Sequence, residues 1–157
     1  MRRSLSTFLV SIAVVSILFA AGHPPIKPQP RDKCPVCGMF VAKYPDFLAE
    51  IIFADGSYAV FDGSKDMFKY YLNLSKYAPG KKLSDIDSIY VTDYYDLKMI
   101  DGRKAYYVEG GNVYGPMGKE VIPFASEAAA VQFKIDHNGT SVLRFDQVTP
   151  ELIRGLE

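Results

Sequence analysis

One local grammar occurs twice in this chain and limits what it can fold into: a short apolar strand, an Asp-Gly turn, a second strand, then cap residues and an amphipathic helix. In the first occurrence Phe47, Ala49, Ile51 and Phe53 alternate onto one face, as a half-buried strand requires. Asp55-Gly56 is a hairpin turn signal, Ser57 to Phe61 returns as the partner strand, and Asp62-Gly63-Ser64 offers caps for a helix carrying Met67, Phe68, Tyr71 and Leu72. In the second, Leu97 to Ile100, the turn Asp101-Gly102 and Lys104 to Glu109 predict another hairpin. Lys119 to Phe124 follows as a strand, and Ser126 caps a helix with Ala128, Val131, Phe133 and Ile135. His137-Asn138-Gly139 stops that helix, Thr140 to Phe145 is a last strand, and Thr149-Pro150 opens a short terminal helix. The expected fold is α+β: two related small halves, each of antiparallel strands plus a helix. The segment Tyr77 to Ser88, with its Pro-Gly and paired Lys, reads as the linker, dividing the chain at about 34–88 and 89–157.

The N-terminus sets the compartment. Arg2 and Arg3 precede the apolar run Phe8 to Ala20, and Ala20, Ala21 and Gly22 offer small residues for a signal peptidase. The run is short of the roughly 20 residues a membrane span needs. Residues 1–22 are therefore expected to be a secretory signal and 23–33 a Pro-rich spacer, with the folded domain at 34–157. The mature protein is expected to be exported, periplasmic or otherwise extracytoplasmic, and membrane-attached only if the signal stays uncleaved. Cleavage after Ala20 would expose Ala21-Gly22-His23, a possible square-planar Cu(II) site. Eighteen Lys+Arg balance eighteen Asp+Glu, so no global field selects nucleic acid or an anionic membrane. Two cysteines cannot make a disulfide scaffold.

The chemistry concentrates at Cys34-Pro35-Val36-Cys37-Gly38-Met39, three sulfurs in six residues. Soft donors prefer soft cations such as Cu(I). In an extended segment Cys37 and Met39 point to the same side and can grip one ion. Three other uses of the motif stay open. A Cys34–Cys37 disulfide closes so small a loop that it contributes only about 2 kcal/mol. A redox pair of the thioredoxin kind needs a helix N-terminus at the motif to lower a thiol pKa. A closed zinc site needs four ligands, for which only Cys34, Cys37, His137 and His23 come forward. Met117, in the turn Gly115-Pro116-Met117-Gly118, has neighbours that deny it a regular apolar face, so it joins the ligand candidates. Met67 and Met99 read as core. His137 reads either as a ligand or as a support for the carbonyl end of its helix. Asp62, Asp66, Asp85 and Asp87 are expected to serve caps and solvated faces, and Tyr94-Tyr95 and Tyr106-Tyr107 to pack. Catalytic signatures (a Ser–His–acid set, HExxH, a P-loop, GxGxxG) are not present, so an enzyme is not expected.

Taken in order, CPVCGMFVAKYP, FADGSYAVFDGSKDMFKYY, YGPMGKEVIPFASEAAAVQF and HNG resemble the NosL family of extracytoplasmic copper-binding accessory proteins linked to nitrous oxide reductase maturation. The resemblance spans Lys33 to Val148. It implies an α+β fold of two related halves and Cu(I) as cargo, held by Cys37, Met39 and Met117, with His137 at the position of the family's His-Gly-Gly. It further implies a recipient apo-cuproenzyme, nitrous oxide reductase foremost. Two features depart from the family: no lipidation Cys follows the apolar run, and Cys34 is additional, with a secondary role expected. The alternatives to a metallochaperone are a CxxC thiol–disulfide protein and a YHS/TRASH-like heavy-metal module, which share the Val-Cys-Gly-Met string.

Overall fold

The computed structural model describes residues 22–157; residues 1–21, which hold almost all of the expected export segment, lie outside them. Among the described residues no helix is long and apolar enough to cross a membrane.

Two antiparallel sheets organise the chain. The first, in the order β2-β1-β3-β4, contains β1 (Ala49–Phe53), β2 (Tyr58–Phe61), β3 (Ile86–Thr92) and β4 (Met99–Asp101). The second, in the order β6-β5-β7, contains β5 (Tyr106–Gly115), β6 (Gly118–Phe124) and β7 (Gly139–Arg144). The helices are α1 (Ser64–Leu72), the single turn α2 (Leu74–Tyr77), α3 (Glu127–Asp136) and α4 (Pro150–Gly155). The fold class is the α+β arrangement expected.

Alternation along the strands builds two cores. Ala49, Ile51 and Phe53 on β1 join Met67 and Phe68 of α1, and Tyr107 and Val121 of the second sheet, in the larger one. One residue further along each strand, Val108 and Ile122 face the other way and pack with Phe124, Ala130 and Phe133. Helix α1 thus lies against both sheets, while α3 covers the opposite face of the second.

Several local expectations change. Residues Lys104 to Glu109 do not fold back on Leu97 to Ile100: β4 pairs with β3, and β5 pairs with β6 and β7. The Asp101-Gly102 turn instead hands the chain from one sheet to the other, and Tyr107 Oη anchors it by donating to the Gly102 carbonyl at 2.6 Å. The division near residue 88 therefore falls inside β3. The linker shortens as well, since a 3-10 turn at Leu83–Asp85 leads straight into that strand. Phe47 sits before β1 in a 3-10 turn and packs on the second core. On α3 the inward stripe is Ala130 and Phe133, while Val131 and Ile135 are 43% and 67% exposed. Aromatic packing of Phe133 against Phe124 and Tyr94 decides which face turns in. The cap and stop signals hold: Ser126 accepts from the Ala129 N–H, Thr149 from the Leu152 N–H, and Asn138 takes φ 56°.

The Pro-rich spacer is docked, not free. His23 N–H donates to Asp87 at 2.7 Å, Tyr90 Oη to the His23 carbonyl at 2.8 Å, and Ile26 N–H to Glu50 Oε2 at 2.9 Å. Glu50 and Tyr90 are cross-strand partners, so the segment lies across the outer face of the first sheet and buries Glu50 completely. One carboxylate oxygen, Oε1, is left without a partner. Burial pushes the Glu50 carboxyl up to about 7. Between its ordinary 4.5 and that value the folded chain holds a proton the unfolded chain has lost, so stability falls as pH rises through this window. Urea unfolding at pH 5 and pH 8 should show the drop, and Glu50→Gln should remove that residue's share, on the order of 3 kcal/mol.

Candidate metal centre

The cysteine loop is closed by its own backbone. Gly38 N–H donates to the Cys34 carbonyl and Cys34 N–H to the Met39 carbonyl, both at 2.9 Å, and Lys33 bridges Phe40. Gly38 has φ 79°, a left-handed conformation that a side chain resists. The segment therefore turns at Gly38, and the extended geometry expected to align Cys37 with Met39 is absent. The turn instead folds both cysteines towards the head of α1. Cys34 becomes buried, Cys37 and Met39 half-buried, and both thiols are free.

Two carboxylates meet them. Asp62 follows β2 directly and Asp66 lies in the first turn of α1. Cys37 Sγ donates to Asp62 Oδ1 at 3.1 Å and Cys34 Sγ to Asp66 Oδ2 at 3.2 Å. The four ligand atoms lie within 4.8 Å of one another. These aspartates do not serve caps or solvated faces: both are buried, and the N-cap residue of α1 is Gly63, with no side-chain cap. Asp62 Oδ2 is buried without a partner, an orphaned acceptor that costs stability and is available to a cation or a proton. Asp85, by contrast, caps its 3-10 turn and Asp87 holds the Pro-rich segment, as a cap and surface role would have it.

Burial first, and the neighbouring carboxylates after it, push the Cys37 thiol up to about 12 and the Cys34 thiol higher still. Both cysteines are thus protonated at neutral pH without a metal, the reverse of the lowered pKa that a nucleophilic dithiol needs.

The other candidates are placed separately. Met117 is 45% exposed at the β5–β6 turn. Its carbonyl accepts from Lys65 Nζ at 2.8 Å, which brings the turn to the helical turn bearing Asp66. His137 is the C-terminal cap residue of α3, its ring tilted against Phe133 with centroids 4.3 Å apart, its Nδ1 3.0 Å from Asn112 Oδ1; it is not in the thiol–carboxylate cluster. His23 is engaged with Asp87. Sequence reasoning missed Asp62 and Asp66. The available signal was two acids four residues apart bracketing a helix start directly after a fully apolar strand.

Two thiols and two carboxylates on a turn–strand–helix frame make this a small α+β domain with a donor set of the metal-binding kind. A family model, NosL, matches residues 25–153, and the chain belongs to the NosL family. The copper-binding lipoprotein NosL of Stutzerimonas stutzeri is 29% identical over 138 residues, spanning 83% of this chain and 68% of that protein. The crystal structure of the copper chaperone NosL from Shewanella denitrificans has a similar fold, with TM-score 0.67 and 24% identity over 82% of this chain and 99% of that one. The solution structure of apo-NosL from Achromobacter cycloclastes aligns with TM-score 0.48 and 25% identity, over 67% and 87% of the two chains.

Thiol modification tests the described geometry. With a neutral alkylating reagent at pH 7, both cysteines should react far more slowly than free cysteine, half-exposed Cys37 before buried Cys34. Mass spectrometry of the digested protein reads the order, and equal rates at the two sites would contradict the arrangement.

Proposed function

We propose that the domain is an exported, non-enzymatic metallochaperone that binds Cu(I) and delivers it to an apo-cuproenzyme, nitrous oxide reductase foremost. The convergence of two free thiols at the head of α1 carries this reading, and the copper named for the relatives supports it. Export is supported by the basic and apolar N-terminal sequence and by the lipoprotein named in Stutzerimonas stutzeri.

In this reading Cys37 and Cys34 bind as thiolates, and the Met39 and Met117 thioethers complete a soft set suited to Cu(I). Cys34 is thereby raised from a secondary role to a co-ligand. His137 is assigned to packing α3 against β5, because its ring lies on Phe133 and contacts Asn112. Asp62 and Asp66 accept hydrogen bonds from the two thiols, and metal binding displaces those thiol protons. Half-exposed Cys37 and exposed Met117 leave an edge at which an incoming ligand can attack before the old ones depart, as a transfer protein requires.

The two carboxylates favour a second reading, Zn(II) in a Cys₂Asp₂ set. Competition against a calibrated chelator for each metal separates the two. One Cu(I) per chain is expected, held far more tightly than Zn(II), with large loss in Cys37→Ser and weaker binding in Cys34→Ser. Parental affinity in Cys37→Ser would overturn the site. For delivery, the Cu(I)-loaded protein should activate apo-nitrous oxide reductase faster than the same total copper buffered by chelator alone; equal rates would refute the chaperone role even with copper binding intact.

A further inference from the structure

The thiols belong to a loop ahead of the first sheet, whereas Met117 belongs to a turn of the second. For the exposed Met117 thioether to serve an ion held by the thiols, its turn must be kept near the head of α1. The structure offers one device. Lys65, in the first turn of α1 beside Asp66, is buried despite its charge, and its Nζ donates to the Met117 carbonyl at 2.8 Å. Its backbone is held in turn: Lys65 N–H donates to Glu120 Oε1 at 2.5 Å, and Val121 N–H to the same oxygen at 2.9 Å. Glu120 is itself buried on β6, three residues past Met117. Two glycines make room for its carboxylate. A Cβ at Gly63 would come within 2.1 Å of Glu120 Oε2, and one at Gly115 within 2.9 Å. The backbone of Lys65 is therefore tied to β6 and its ammonium to the β5–β6 turn, while the next residue holds the Cys34 thiol.

We propose that Lys65, anchored by Glu120, is a positioning residue for copper: it fixes the Met117 turn at the head of α1 so that the thioether reaches the ion gripped by the thiols. The inference rests on the Cu(I) reading above. An ammonium that needed only to be solvated would lie on the surface, since lysine is almost never buried unpaired. Here it donates to a carbonyl of the β5–β6 turn.

Lys65→Met keeps the aliphatic stem and removes the donor; Lys65→Gln, neutral and shorter, serves as a second variant. The full mature chain is loaded with Cu(I), its affinity is measured by chelator competition, and the sulfur ligands are counted by X-ray absorption. Met117→Leu and Lys65→Met should each weaken binding roughly 10- to 100-fold, as loss of an outer partner of a metal ligand does. The sulfur count should fall by one in both. The double variant should bind no more weakly than Met117→Leu alone, and Lys65→Arg should restore much of the loss. If Met117→Leu weakens binding while Lys65→Met keeps parental affinity and sulfur count, the positioning role is overturned and the copper reading stands. If the two losses multiply in the double variant, Lys65 acts on the fold and not through Met117, which also overturns it. If the parent binds no Cu(I), the copper reading fails and takes this inference with it.

Discussion

The head of helix α1 is buried, and most of the polar architecture follows from that. Asp62, Ser64, Lys65 and Asp66 are all shielded from solvent, at the end of a helix where backbone N–H groups lack intrahelical acceptors. Neither Asp62 nor Ser64 supplies a cap. The N–H of Lys65 instead reaches across to Glu120 on the other sheet, and the Met67 N–H returns to the Gly63 carbonyl to close the first turn. With the backbone served from β6, Asp62 and Asp66 are left to face the cysteine loop.

That arrangement ties three separate pieces of sequence into one place. The cysteine loop approaches because Gly38 turns it, the aspartates are delivered by the strand-to-helix junction, and Lys65 reaches the Met117 carbonyl. Buried acids, thiols and an ammonium together are unfavourable unless each finds a partner. Most do, and Asp62 Oδ2 does not. The cluster is therefore less a stabilising element than a buried polar pocket with one acceptor left unsatisfied. The larger core around it, with Phe61, Met67, Phe68 and Tyr107 fully buried, supplies the apolar burial that offsets it.

A second polar investment lies on the far face of the first sheet, where Glu50 is covered by the Pro-rich segment through the Ile26 N–H. A stretch dense in proline has few N–H donors to offer, so the bond from Ile26, one of its non-proline residues, fixes where the segment can sit. The path from the N-terminal sequence to the folded domain is in this way part of the domain surface and begins at a defined place, His23 against Asp87.

Much of the local order was legible along the chain. The Asp55-Gly56 hairpin, the capped starts at Ser126 and Thr149, the stop at Asn138 and the extended runs around Ile51 and Val121 all depend on a residue's own conformational preference or on alternation with period two. The concentration of sulfur at residues 34–39 is a matter of residue type alone and needs no fold to be seen. What neighbours do not encode is pairing. Whether Asp101-Gly102 closes a hairpin or passes between sheets depends on which strand offers the better face; in the folded chain the buried Tyr107 holds the crossing through the Gly102 carbonyl. The same holds for Asp62 and Asp66: by residue type they read as helix caps, and the approach of the cysteine loop, 25 and 32 residues earlier, makes them partners of thiols. The identity of the soft donors was thus set by side-chain chemistry, which a sequence displays directly. The carboxylates, the docked spacer and the Lys65 tether were set by long-range burial, which exists only once the chain has folded.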